Sequence, residues 1–93
     1  MPVFMRIVLD VLKPHQPNAL EFVRRLQELE SIGRIKLTLA EMDEKTETVV
    51  LTIEGLDMDY ERIAGVISEM GGSVHSIDEV EVIVESAAGE AEE

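Results

Sequence analysis

At 93 residues, 45% of them hydrophobic, the chain is long enough for one core and too short for two, and its lack of cysteine excludes disulfides, thiolate metal sites and cysteine nucleophiles. The net charge of −12 is uneven: residues 1–40 carry six basic and four acidic side chains, while residues 41–93 carry two basic and sixteen acidic, a field that repels phosphate backbones and argues against nucleic acid as a partner. Only Phe4, Phe22 and Tyr60 are aromatic, which leaves no platform for stacking bases, and no apolar run approaches the roughly 20 residues of a membrane span, so a cytoplasmic protein is expected.

In chain order, residues 3–12 read as a strand because Val3, Met5, Ile7, Leu9 and Val11 give one wholly apolar face, while Phe4, Arg6, Val8, Asp10 and Leu12 give a mixed one. A breaker cluster with Pro14 and Pro17 follows. Asn18 then stands where an N-cap belongs, with Glu21 three residues on, and the spacing of Ala19, Phe22, Val23, Leu26 and Leu29 predicts a helix from about residue 19 to residue 30, ended by Gly33. Strict alternation over 34–39 and again over 48–54 predicts a hairpin, with the charged segment 42–47 as its solvated turn.

Gly55 breaks the second of these strands. Asp57 or Asp59 is placed to cap a second helix with Ile63, Val66, Ile67 and Met70 inward, and Gly71 and Gly72 stop it. Ser73 to Val84 is β-branched and reads as the last strand. Residues 86–93 are small and acidic and are expected to be a disordered tail after one domain over 1–85. The order β-α-β-β-α-β divides into two similar halves. It predicts an α+β ferredoxin-like sandwich, a four-stranded antiparallel sheet with two helices on one face.

With one sheet face bare, the pairing of the first and last strands decides what that face displays. The most complementary register sets Arg6 opposite Glu79, Val8 opposite Ile77 and Asp10 opposite His75, with a bulge near Asp78 to spare that carboxylate from facing the helices. It also brings Lys13 and His15 to the start of the last strand. Asp10, Lys13, His15 and His75 are therefore the candidate ligand-binding residues, and the plainer reading is an Asp–His cross-strand pair beside a surface histidine in a proline-stiffened loop.

Asp10 and His75 are the candidate metal ligands at that place, and Asp57 and Asp59 form a second candidate pair. No cofactor is required by the sequence, and a divalent cation such as Ca2+ or Mg2+ suits the acidic surface. The spacing around Asp57 lacks the glycine and closing glutamate of a calcium loop, which favours helix capping. No nucleophile elbow, phosphate-cradling loop, HExxH or paired-carboxylate motif is present in the sequence.

RIVLDVLKPH at residues 6–15, GGSVHSIDEV at 71–80 and TIEG at 52–55 resemble the uncharacterised archaeal domain-of-unknown-function family 211. The resemblance implies a ferredoxin-like fold and a ring-shaped homo-oligomer, and it brings no activity. The architecture is also that of amino-acid-binding ACT-type domains, whose ligand loop KPHQPNAL would occupy with prolines where those domains usually place glycine. The expected protein is a non-enzymatic homo-oligomer that binds a small molecule or cation. The alternatives are an enzyme with an inter-subunit site using His15 and His75, and a purely structural assembly unit.

Overall fold

The computed structural model describes residues 3–84, so the expected acidic tail at 86–93 lies outside the described residues. Six elements follow in the predicted order: β1 (Val3–Pro14), α1 (Ala19–Gln27), β2 (Ile32–Met42), β3 (Thr46–Leu56), α2 (Tyr60–Glu69) and β4 (Ser73–Val84). The strands form one antiparallel sheet in the order β2-β3-β1-β4, the ferredoxin-like arrangement.

Alternation decides which side of the sheet is covered. Ile7, Leu9 and Val11 of β1 stand opposite Ile53, Leu51 and Val49 of β3, and all six are buried beneath Phe22 and Leu26 of α1 and Ile63 and Ile67 of α2. Each such side chain removed from water stabilises the fold by about 1.5–3 kcal/mol, which makes this face the main source of stability. The even-numbered residues of β1 lie on the other side, where no helix covers them.

Local chemistry sets the element ends. Asn18 is the N-cap of α1, its side-chain oxygen accepting the Glu21 amide at 2.9 Å, and Asp59 caps α2 by accepting the Glu61 amide at 3.0 Å. Gly71, at φ +86°, ends α2 in the left-handed region that favours glycine. Gly55, expected to break its strand, lies within β3, which runs on to Leu56; it answers to a close approach instead, since a Cβ there would run into the Ser31 carbonyl, which accepts the Leu56 amide.

Three further expectations are corrected. The first helix stops at Gln27, not at residue 30: Glu28 and Leu29 donate to Arg25 and Leu26 in tighter i→i−3 bonds, and buried Ile32 starts β2, which places Gly33 inside the strand. The hairpin turn contracts to residues 43–45, closed by the Asp43 amide donating to the Thr46 carbonyl at 2.8 Å. The β1–β4 register also differs from the complementary one: Arg6 pairs with Glu81, Val8 with Glu79, and Asp10 with Ser76 rather than His75.

The reason is that β4 carries two extra residues. The pairing shifts once between Val8 and Leu9, skipping Asp78, and once between Asp10 and Val11, skipping His75. The bulge expected at Asp78 is therefore present, and the Ser76 hydroxyl donates to that carboxylate at 2.7 Å. Ile77 stands opposite Leu9 rather than Val8. The Arg6–Glu79 ion pair forms all the same, diagonally, at 3.0 Å.

Candidate functional site

The site begins with an interruption of the apolar alternation of β1. After Val11 the next residue on the helix-covered side is Lys13, and β1 does not end at the prolines because Lys13 still pairs with Glu47 and Pro14 with Thr46. Lys13 is fully buried, the one charged side chain placed in the core among the described residues. Its ammonium donates to the Pro14 carbonyl at 2.8 Å and to Glu47 Oε1 at 3.1 Å, and it sits 5.7 Å from the centroid of the Phe22 ring. Taking an ammonium out of water is costly, and it is tolerated where a carboxylate and further acceptors surround it.

Glu47 serves two cations. Its second oxygen, Oε2, lies 2.9 Å from His15 Nδ1, while His15 Nε2 lies 3.0 Å from the Glu44 carbonyl and 3.1 Å from the Asp43 carbonyl. The side chains of Lys13, Glu47 and His15 are 0%, 12% and 37% exposed, so the cluster grades from core to solvent. The hydrogen bond to Glu47, and then that to the Glu44 carbonyl, raise the pKa of His15 above its ordinary value. The bonds from His15 and Lys13 in turn hold the Glu47 carboxyl below the usual carboxylate range.

Of the residues singled out in the sequence, the structure joins Lys13 and His15, through Glu47. It does not join them to His75. His15 turns toward β3 and the β2–β3 turn, whereas β4 flanks β1 on its other edge and His75 stands exposed in the second bulge. Asp10 is half-buried on the bare face, opposite Ser76.

Asp57 and Asp59 lie at the far end of β1. There the Asp57 side chain accepts the Val3 amide at 3.1 Å, and both acids line an open cleft of about 620 Å³ with Glu28, Glu30, Ser31 and Arg62. Seven residues of strand separate Val3, which Asp57 holds, from Asp10, roughly 23 Å, so the two metal candidates are distinct places on the molecule. Among the described residues, no group of three or more His, Cys, Asp or Glu side chains is arranged to hold a metal ion.

Glu47 is the residue that sequence reasoning missed, having been assigned to a solvated turn. A signal existed. Continuing the inward alternation of β1 by one step buries Lys13, and a buried lysine demands an acid on the neighbouring strand.

The comparisons with known proteins agree with this fold. The chain is 45% identical over 75 residues to "Uncharacterized protein MJ0319" of Methanocaldococcus jannaschii, covering 81% of this chain and 77% of that one. Among solved structures, LarC2, the C-terminal domain of a cyclometallase involved in synthesis of the NPN cofactor of lactate racemase, is similar with a TM-score of 0.52 at 10% identity; the match covers 90% of this chain and 58% of that one. At that identity the likeness concerns the fold alone. The profile of DUF211, described as uncharacterised ArCR, matches residues 5–93, and the chain therefore belongs to the DUF211 family.

Proposed function

We propose that the protein is the repeating unit of a homo-oligomer, a non-enzymatic α+β module that takes a small ligand or a divalent cation on its acidic surface. The observation that carries this reading is the β4 edge. β4 is an outer strand, and its Ile77, Val80, Val82 and Ile83 are each between 44% and 58% exposed. Open, apolar strand edges invite another chain unless they are blunted or covered.

Charge favours a second copy as the occupant. β4 carries Asp78, Glu79 and Glu81 with no Lys or Arg, while the opposite outer strand, β2, carries Arg34 and Lys36 against Glu41. An acidic edge meeting a basic edge of the next copy is a heterologous contact, which closes into a ring when the rotation per subunit divides a full turn. The non-enzymatic part rests on Lys13, Glu47 and His15, whose polar atoms are engaged with one another and with backbone carbonyls. The cyclometallase containing LarC2 lends its fold to this reading and none of its chemistry.

Sedimentation at micromolar concentration tests the assembly: a closed oligomer is expected, and a monomer removes the proposal. Melting in the presence of Ca2+, Mg2+ and free amino acids tests the ligand. Saturation at a hundred times the dissociation constant adds about 2.7 kcal/mol, and a melting curve that none of them moves removes the binding role while leaving the assembly standing.

A further inference from the structure

His15 presents two ring nitrogens, and the structure puts only acceptors in front of them. Nδ1 meets a carboxylate oxygen of Glu47, and Nε2 meets the carbonyl oxygens of Glu44 and Asp43. A neutral imidazole carries a single N–H, so it satisfies one side of this cradle and turns a lone pair toward an oxygen on the other. The imidazolium, with two N–H groups, satisfies both.

What those contacts hold together is specific. His15 follows the end of β1, Glu47 is on β3, and Asp43 and Glu44 belong to the turn between β2 and β3. The turn is short, closed within itself by the single Asp43–Thr46 backbone bond, and its residues 43–45 are exposed. His15 thus adds a side-chain tie from this exposed turn to the end of the central strand, just beyond the Pro14–Thr46 pair that ends the β1–β3 ladder. We propose that His15 is a pH-operated latch, which as an imidazolium fastens the β2–β3 turn to the end of β1 and on losing its proton releases it.

The charges around the ring come from every element nearby. β3 contributes Glu47, β1 contributes Lys13 on the other oxygen of Glu47, and the turn carries Asp43, Glu44 and Lys45. α1 contributes the uncharged Phe22 beneath Lys13, and α2 ends at Gly71 beside Pro14 with its Glu69 already paired to Arg25. Lys13 opposes the second positive charge on His15, while the Glu47 carboxylate and two carbonyl dipoles favour it. The raised pKa of His15 agrees with that balance.

The latch has a defined working range. A group whose pKa is raised on folding contributes its stabilisation fully below the unfolded value of about 6.5 and loses it as pH rises through the folded value. At the acid side, Glu47 must stay ionised, and the bonds from His15 and Lys13 hold its pKa below the usual carboxylate range. The turn is therefore held below about pH 6.5 and freed as pH rises through the raised value of His15.

The test uses the full chain with His75→Gln, so that one imidazole is read. Its NMR titration is followed together with hydrogen exchange at the Asp43 amide, corrected for intrinsic base catalysis. His15 is expected to titrate above about 6.5, with protection at Asp43 falling at least tenfold through the same pH. His15→Phe, which keeps a ring without N–H groups, is expected to show the freed turn at every pH. An imidazole titrating at or below its ordinary value, protection independent of pH, or wild-type protection in His15→Phe would each overturn the latch.

Discussion

The two flanks of β1 handle polar groups in opposite ways. On the β3 side, Lys13, Glu47 and His15 form a graded chain from core to solvent in which each charged atom has a partner within the same molecule. On the β4 side, the outer strand carries two bulges, three acids and four exposed aliphatic residues, and its far edge faces no strand of its own sheet. The difference teaches where each kind of function can reside. A flank that satisfies itself stabilises and switches the fold; a flank that does not is suited to meeting another molecule.

The strongest way to break the comparison is to open the satisfied flank. Glu47→Ala strands the buried Lys13 ammonium with the Pro14 carbonyl alone and removes the Nδ1 partner of His15. The expected loss is about 2–3 kcal/mol, below the full cost of an isolated buried charge because the cluster reaches solvent at its His15 end. For a domain of this size that lowers the melting temperature by roughly 10–20 °C. A change of only a degree or two in thermal denaturation would show that the cluster is a surface ornament. Lys13→Met in the Glu47→Ala background should recover much of the loss, since an apolar chain of similar volume suits the space under Phe22.

The open flank should respond in assembly rather than in stability. Val80→Lys and Val82→Lys place charge on exposed positions of β4, where fold stability changes by less than about 0.5 kcal/mol. Self-association should weaken by at least a hundredfold, read by sedimentation across a concentration series. Loss of the fold instead of loss of assembly would mean that β4 is held by contacts within the chain.

The third effect is a matter of pH. The His15–Glu47 ion pair requires His15 charged and Glu47 ionised. Glu47 supports stability above the usual carboxylate range and loses that support as pH falls through its lowered folded value; His15 supports it below about 6.5 and loses it as pH rises through its raised one. Melting temperature against pH should therefore show a plateau between those limits, with the alkaline edge absent in His15→Phe. An alkaline edge that survives that substitution would belong to other groups.

How much of this was legible in the sequence follows from which interactions are local. Asn18, Asp59 and Gly71 act within one turn of chain; the Asn18 cap and the Gly71 stop were readable from residue type and spacing, and the second cap was narrowed to Asp57 or Asp59, of which the structure uses Asp59. The apolar faces of β1 and β3 were readable because alternation is a property of one strand. The β1–β4 register was not, because two bulges shift the pairing and a bulge is a compromise between strands. The hydroxyl-to-carboxylate bond from Ser76 to Asp78 rewards the first of them, and nothing within β1 signals it. Glu47 was not legible for a related reason: β1 has two neighbours, and the complementary charges that suggest a register lie between β1 and β4, while Lys13 stands opposite Glu47 on β3.

A smaller effect tests the roof of the satisfied flank. Asn18→Ala removes the acceptor of the Glu21 amide at the start of α1, the helix that lays Phe22 over Lys13. A cap of this kind contributes about 1 kcal/mol, and its loss should lower the melting temperature by about 4–8 °C. Hydrogen exchange should speed up in the first turn of α1 and leave β4 unchanged.

The smallest expected effect concerns His75, which makes it the sharpest control on the contrast between the flanks. His75 stands exposed at the residue that the β1–β4 pairing skips, whereas both ring nitrogens of His15 are engaged. His75→Gln should therefore change monomer stability by less than about 0.5 kcal/mol, as surface substitutions away from special features do. Sedimentation of the same variant separates two roles for the bulge. Wild-type assembly would mark His75 as a passive consequence of register, which the edge model expects because its contacts come from Val80, Val82 and the neighbouring acids. Weakened assembly with unchanged melting would move the interface toward the start of β4 and bring Asp10, Ser76 and His75 into it.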